Sequence, residues 1–247
     1  MIKIEQISKS FQDTKVLNNI SFEIKKGDFA AVMGPSGSGK STLLYSISGL
    51  DNISEGKVMF EGVNITLLQE SELSVFRLTK MGFVFQNAQM LKNLSVFDNI
   101  ILPGLIAKKE PAENIRKRAS KLMERMEITG IENRDMKEVS GGQLQRAAIC
   151  RAMINNPEIL FLDEPTGALN SEATDQVLEI LEDLNQDGMT IMTVTHDPRV
   201  AAKAKKVLYL RDGQVAACKE FKTGNDRVLE LDHWLKGLQF PSTNAGI

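Results

Sequence analysis

The sequence predicts an α/β fold with a mainly parallel core sheet, a small antiparallel β layer near the N-terminus and an inserted helical segment. Three observations predict it. The apolar run Phe29, Ala30, Ala31, Val32 and Met33 leads straight into a glycine-rich loop, Gly34 to Thr42, and then into a helix carrying Leu43, Leu44 and Ile47. Further along, strand-type and helix-type runs alternate, as they do when helices connect parallel strands. Between these regions, from Gln86 to about Pro157, the apolar spacing turns helical.

The first strands are Ile2 to Ile7, where MIKIEQI alternates apolar and polar residues, and Ile20 to Ile24. Phe29 to Met33 and the helix from Ser41 to Ser48 follow, then a short strand from Gly56 to Phe60 bounded by Gly62 and Asn64. Strands crowded this early predict the antiparallel layer. Met81 to Phe85 reads as a buried strand ending at Gln86. In the helical stretch Ile115, Ala119, Leu122 and Met126 recur at helical spacing, and Arg116, Lys117 and Arg118 lie mainly off that stripe, as a solvated face. A helix opening at Ser140 runs to Asn155 and Asn156 and is stopped by Pro157. Then come a strand at Glu158 to Leu162, a helix with Val177, Leu178, Leu181 and Leu184 on one face, and strands at Thr190 to Thr195 and Val207 to Leu210. The stripe Val228, Leu231, Leu235 and Leu238 is expected to cover the core, and the tail from about Phe240 to fray.

Composition narrows the function classes. With 247 residues the chain can bury a sizeable core. Thirty Lys plus Arg against 32 Asp plus Glu give a formal charge of −2, without the basic excess of a dedicated nucleic-acid binder. Cys150 and Cys218 have neither metal nor redox spacing and imply a reducing compartment. MIKIEQI reads as a strand and not as a signal peptide, and the longest apolar stretch, Ile100 to Ala107, is broken by Pro103 and Gly104. A bilayer span needs about 20 residues, so a chain soluble by itself is expected.

Three motifs carry chemistry. Gly34 to Thr42 reads GPSGSGKST and fits G-x-x-x-x-G-K-[ST]. Its glycines let successive N–H groups turn toward a polyphosphate, Lys40 reaches the β and γ phosphates, and Ser41 offers a hydroxyl to Mg²⁺. The run Ile159 to Glu164, ILFLDE, places two carboxylates at the carboxyl end of a buried strand, where α/β proteins bind ligands. Beside a phosphate cradle, Asp163 suits the Mg²⁺ side and Glu164 suits a water in line with the γ-phosphate. An ordinary strand end with exposed charges is the bland alternative. Ser140 to Gln143, SGGQ, opens a helix as a capping box would. Two glycines in a first helical turn cost about 1 kcal/mol each against alanine, and they make sense if the backbone must approach an anion. A chain with one cradle and a second phosphate-binding helix tip has a use for that tip in another copy of itself.

In these residues the chain resembles the ABC ATPases, the nucleotide-binding subunits of ABC transporters, over about Ile2 to Ala217 and with five motifs in the family's order. The resemblance implies a P-loop NTPase of one domain, 1–240. A RecA-like core would comprise about 1–85 and 157–240, a helical subdomain about 86–156, and 241–247 would be a frayed tail. It implies ATP and Mg²⁺ as cofactors. Phe11, with Val16 beside it, would stack on adenine. Gly34, Pro35, Ser36, Gly37, Ser38, Gly39, Lys40, Ser41 and Thr42 would hold the phosphates. Gln86 would sense Mg²⁺ and the attacking water, so that Ser41, Gln86 and Asp163 surround the metal. Ser140, Gly141, Gly142 and Gln143 would cap the γ-phosphate held by the opposite subunit. Glu164 would be the catalytic base and His196, in TVTHD, the switch histidine. Phe11 replaces the commoner Tyr, Val139 stands for the usual Leu, and Asn170 in GALN occupies a position where many relatives carry Asp.

MGFVFQ, the apolar residues from Met90 to Pro103 and EPTGALN look like the MacB/LolD/FtsE branch, and GALN with His233 and Trp234 looks like its bacitracin-type, BceA-like exporters. The implied function is ATP hydrolysis that powers a separate membrane permease, with an exporter of antimicrobial peptide, macrolide or lipid-like substrate as the main reading. The implied partners are an integral membrane permease, a second copy in a head-to-tail homodimer and a periplasmic or extracytoplasmic adaptor reached through the permease. No nucleic acid is among them. The implied place is the cytoplasmic face of the cell membrane, with the permease docked near Gln86, Met90, Leu91, Leu94 and Phe97; packing in the helical subdomain is the competing reading of those apolar residues. An FtsE-like ATPase coupled to a membrane regulator is the alternative within the family. A P-loop small-molecule kinase is the alternative outside it, although a kinase has no use for SGGQ. No long coiled-coil insertion of the DNA-repair type and no second P-loop of the translation-factor type is present.

Overall fold

The computed structural model describes residues 1–221 and 227–238. The expected tail, 241–247, lies outside the described residues. The chain opens with a hairpin of β1 (Ile2–Phe11) and β2 (Thr14–Ile24), paired antiparallel. Its alternation buries Ile2, Ile4, Ile7, Leu17, Ile20 and Ile24 on one side. β3 (Phe29–Met33) enters the main sheet and hands over to α1 (Lys40–Ile47). The chain then returns to the hairpin as β4 (Glu55–Phe60) and β5 (Val63–Asn64), completing an antiparallel sheet in the order β2-β1-β4-β5. α2 (Glu70–Lys80), absent from the sequence expectation, leads into β6 (Met81–Phe85).

The helical stretch holds α3 (Val96–Ala107), α4 (Ala112–Arg125) and α5 (Gly141–Met153). It is followed by β7 (Ile159–Asp163), α6 (Ser171–Gln186), β8 (Thr190–Val194), α7 (Pro198–Lys203), β9 (Lys206–Arg211), β10 (Gln214–Glu220) and α8 (Arg227–Gly237). The main sheet runs β10-β9-β3-β8-β7-β6, with β6, β7, β8, β3 and β9 parallel and β10 antiparallel at the edge.

The parallel strands are apolar at nearly every position because both faces of the sheet are covered. In β3, Phe29, Ala31 and Met33 pack into a core shared with α3, α4, α5 and α6, whereas Ala30 and Val32 pack into a second core with α1 and the antiparallel sheet. β7 divides the same way, with Leu160 and Leu162 on the first side and Ile159 and Phe161 on the second. A fully buried side chain of this kind contributes about 1.5–3 kcal/mol, so the strands are held mainly by their faces.

Side-chain placement refines several expectations. On α4 the buried stripe is Ile115, Ala119 and Met123, with Leu122 only partly covered. Arg118 departs from the expected solvated face: its Nε donates to the Ile154 carbonyl at 2.6 Å and its guanidinium pairs with Glu110, tying α4 to the end of α5. Lys117 does pair in solvent, with Glu113 one turn away, and such exposed pairs contribute little. Of the C-terminal stripe, Leu231 is buried while Val228 is exposed. Cys150 is buried, which pushes its thiol up to about 12, and Cys218 is exposed.

Gly82 sits where β6 passes under α5. A Cβ there would lie 2.6 Å from the Ala152 carbonyl oxygen and 2.5 Å from Leu160 Cδ2, and the backbone contact cannot yield. Gly82→Ala is expected to cost about 1–3 kcal/mol of stability, read as a lower urea midpoint at unchanged slope.

Candidate active site

Register decides what the sheet's carboxyl edge carries. Phe85 pairs with Asp163, Asp163 with Val194, and Val32 with Val194, so four parallel strands end level. Gln86, Glu164, Thr195 and the loop beginning at Gly34 therefore emerge side by side. Two backbone bonds extend the alignment past the strands: Glu164 N–H donates to the Val194 carbonyl and Thr195 N–H to the Val32 carbonyl, each at 3.0 Å.

The loop after β3 is shaped for an anion. Gly34, Gly37 and Gly39 adopt φ of 153°, 78° and 97°. At Gly34 an added Cβ would sit 2.1 Å from the Leu210 carbonyl oxygen, so only glycine fits. Gly39 caps α1 without any side-chain hydrogen bond, and the first turn holds no acidic residue. The N–H groups that open α1 are thus free of a carboxylate competitor, and the positive end of the helix faces the loop. Lys40 Nζ donates to the carbonyls of Gly34 at 3.0 Å and Pro35 at 2.9 Å, folding its charge over the same loop. Pro35, Ser36 and Gly37 are exposed, Ser38 is buried, and Thr42 is half-buried on α1.

Asp163, 9% exposed, lies at the foot of this loop. Ser41 Oγ donates to its Oδ1 at 2.9 Å and Tyr45 Oη to its Oδ2 at 2.5 Å. Burial and the adjoining carboxylate both raise the Tyr45 phenol above its ordinary range, burial most, so it stays protonated and a donor. The donor set of one hydroxyl and one carboxylate fits Mg²⁺, which prefers hard oxygens and takes its remaining positions from phosphates and water. Among the described residues no group of three or more His, Cys, Asp and Glu is placed to hold a metal without such help.

Glu164 has φ +48°, a left-handed conformation that costs a non-glycine residue about 1–3 kcal/mol. The twist turns its carboxylate toward His196, whose Nδ1 lies 2.9 Å from Oε2 and whose backbone N–H donates to the same oxygen at 3.3 Å. Glu164 is mostly covered and His196 mostly exposed. Gln86 is exposed at the end of β6, and its amide packs so closely on Gly167 that a Cβ there would sit 2.8 Å from Nε2.

The remaining expected residues lie around this centre. Phe11 is 48% exposed, with Lys9 Nζ 4.6 Å from its ring centroid. Val16 is half-buried and packs beside Gly39. Ser140 forms the capping box: its hydroxyl accepts from Gln143 N–H at 3.2 Å, and Gln143 Oε1 accepts from Ser140 N–H at 3.1 Å. Gly142 has a packing reason, since a Cβ would come 2.8 Å from Ala173 Cβ on α6. Gly141 has no such reason: it is exposed, with only a 3.7 Å approach to Leu169. Asn170 caps α6 by accepting from Ala173 N–H at 2.9 Å. Among the described residues no hydrogen bond joins Ser140–Gln143 to Gly34–Thr42.

Three residues outside the expected set support the site. One is Tyr45. The others are Gln145, which donates to the Phe85 carbonyl at 3.1 Å, and Arg151, which donates to the carbonyls of Ala88 at 2.6 Å and Gln89 at 2.7 Å. Both are on α5 and fasten the segment flanking Gln86. Tyr45 lies four residues beyond Ser41, on the same face of α1, a spacing from which it could have been found.

A family model described as ABC transporter matches residues 17–167. The ABC transporter ATP-binding protein YxdL of Bacillus subtilis is 39% identical, over 99% of this chain and 96% of its own length. The macrolide export ATP-binding/permease protein MacB of Campylobacter jejuni is 42% identical over 87% of this chain, and the match spans only 33% of that longer protein. Among solved structures, the dimeric post-hydrolysis state of the ATP-binding cassette MJ0796 bound to ADP and Pi superposes with a TM-score of 0.84 at 36% identity. That match covers 91% of this chain and all of the cassette.

Gly34→Ala is expected to weaken nucleotide binding by at least about tenfold, because the Leu210 carbonyl cannot move without disturbing β9 and its pairing with β3. Titration with a fluorescent ATP analogue measures it. Unchanged far-ultraviolet circular dichroism separates the effect from unfolding.

Proposed function

The chain belongs to the ABC transporter family, in its MacB/LolD branch, and hydrolyses ATP; from that premise we propose how its residues divide the work and what the hydrolysis drives. One copy binds ATP on Gly34 to Thr42, with adenine on Phe11 and Val16. A second copy, related head to tail, covers the γ-phosphate with Ser140, Gly141, Gly142 and Gln143. The observation that carries this reading is the exposed tip of α5, where Gly141 has no packing reason to be glycine. A helix N-terminus left open in the lone chain suits an anion presented by a partner.

In the proposed step, Glu164 accepts a hydrogen bond from the attacking water and draws off its proton as the water adds to the γ-phosphorus and the bond from that phosphorus to the β–γ bridging oxygen breaks, leaving ADP and inorganic phosphate. The strained backbone at Glu164 and the contact with His196 support that role, because both fix the carboxylate before substrate arrives. Gln86 orients the water from the neighbouring strand. A magnesium ion held by Ser41, Asp163 and Gln86 would supply neutralising charge to the phosphates. Lys40 exchanges its two loop carbonyls for phosphate oxygens.

The work is done on a membrane permease. No helix among the described residues is long and apolar enough to cross a membrane. In this reading, which rests on the sequence motifs, the permease is a separate chain with this one at its cytoplasmic face. A cavity of about 400 Å³ beside β6, lined by Leu50, Met81, Phe83, Phe85, Pro103 and the stem of Arg151, suits an apolar helix of that partner. Leu91, 52% exposed, extends the surface, while Met90 and Phe97 are partly buried and pack against the core. The likeness to MacB, a macrolide export protein, supports export of a macrolide; an antimicrobial peptide or lipid-like substrate, and an extracytoplasmic adaptor met only through the permease, rest on the sequence motifs alone.

Glu164→Gln is expected to lower ATP turnover by about 10²–10⁴-fold and to leave ATP-dependent dimers intact in size-exclusion chromatography. Adding Gly141→Asp to that variant should abolish the dimers while ATP still binds, because a carboxylate at the helix tip repels the phosphate. A Glu164→Gln chain that neither dimerises with ATP nor loses turnover would overturn the scheme.

A further inference from the structure

Tyr45 is a polar residue of the site for which the reading above has no use. Its hydroxyl lies 2.5 Å from Asp163 Oδ2, on the far side of the carboxylate from Ser41, which holds Oδ1 at 2.9 Å. Both donors come from α1, one turn apart, so a single helix grips both oxygens of a carboxylate on β7. No cation among the described residues pairs with Asp163, so these two hydroxyls satisfy a nearly buried carboxylate.

The phenol ring is itself braced. Its centroid is 6.4 Å from that of Phe85, edge to face at 61°; Phe85 stacks on Phe83 at 6.2 Å, and Phe83 on Phe161 at 5.6 Å. These rings belong to β6 and β7, the strands that lead to Gln86 and end at Asp163. The hydroxyl of Tyr45 is thus located by the same two strands that locate the carboxylate.

We propose that Tyr45 is a positioning residue for the metal site: by holding Oδ2 of Asp163 it keeps Oδ1 turned to the Ser41 side, where the magnesium of ATP binds. The inference rests on the proposed metal role of Ser41 and Asp163. Ser41 can bind the cation through an oxygen lone pair and still donate its O–H to Oδ1, so Tyr45 is the second donor, the one that fixes Oδ2 and with it the rotation of the carboxylate. Outer hydrogen bonds of this type typically change metal affinity 10–100-fold when removed.

The test uses the full chain and a fluorescent ATP analogue titrated with Mg²⁺, and separately with Mn²⁺. Tyr45→Phe keeps the ring and its packing and removes only the donor. It should raise the metal midpoint for tight nucleotide binding about tenfold or more, leave metal-free nucleotide binding within about twofold, and lower kcat at fixed metal more than it raises KM at saturating metal. Asp163→Asn serves as the control for the metal site. If neither it nor the metal changes nucleotide binding, the metal reading fails; if Asp163→Asn shifts the midpoint and folded Tyr45→Phe does not, the inference about Tyr45 fails alone.

A second measurement does not depend on Tyr45→Phe folding. The chain has two tyrosines, so Tyr209→Phe leaves Tyr45 as the one tyrosine signal. Its ultraviolet resonance Raman doublet should report a strong donor and should lose that signature on Asp163→Asn. A doublet that the Asp163 change leaves unaltered overturns the proposal.

Discussion

Every feature of the site depends on the level ending of β6, β7, β8 and β3. Parallel strands buried on both faces cannot slip by one residue without turning their apolar side chains to the opposite core. In β3 such a slip would send Phe29 and Met33 into the space filled by Ala30 and Val32. Packing of side chains with no chemical role therefore fixes the register. The register in turn sets Gln86, Glu164, Thr195 and the Gly34 loop along one edge. Asp163 is the last rung of the ladder, and Gln86, Glu164 and the Gly34 loop lie one step or more beyond it, where side chains are no longer committed to either core.

α5 connects this edge to a distant surface. Its N-terminal tip is the exposed Ser140 and Gly141, its middle holds Phe85 through Gln145, and its last turns hold Ala88 and Gln89 through Arg151. Burial lowers the Arg151 guanidinium from its ordinary range, yet two carbonyl partners keep it satisfied. Ala88 and Gln89 both have positive φ, so the segment after Gln86 is a tight, strained turn clamped by one side chain. One helix thus joins the exposed tip to this turn. Arg151 also lines the cavity beside β6, so the same side chain touches that surface.

What was legible in the sequence was local. GPSGSGKST after an apolar run states its own geometry, because positive φ, a missing Cβ and a following helix are properties of neighbouring residues. ILFLDE was legible for the same reason: its buried strand and abrupt acids lie within six positions. α2 was missed because its apolar face is weak, with Leu73 its one buried residue. The second strand of the β9–β10 hairpin was missed because exposed and half-buried residues alternate in it without a strong apolar set. Arg118 was misread as solvated because its target, the Ile154 carbonyl, is a tertiary contact that no spacing announces. Tyr45 lies between these cases: its place beside Ser41 follows from helical spacing, but the acid it holds is 118 residues away.

The two glycines of the α5 tip show why a sequence motif alone underdetermines its cause. Each weakens the helix by about 1 kcal/mol against alanine, and the sequence invites one explanation for both. The structure separates them. Gly142 is needed for close packing on Ala173, so an alanine there would push α5 off α6 whether or not any ligand is present. Gly141 has room for a side chain, and the capping box of Ser140 and Gln143 forms without requiring glycine at that position. Packing and capping therefore account for three of the four residues. The fourth leaves bare backbone N–H at the positive end of a helix on an exposed surface, a feature that costs stability in the isolated chain and acquires a purpose only when an anion is brought to it.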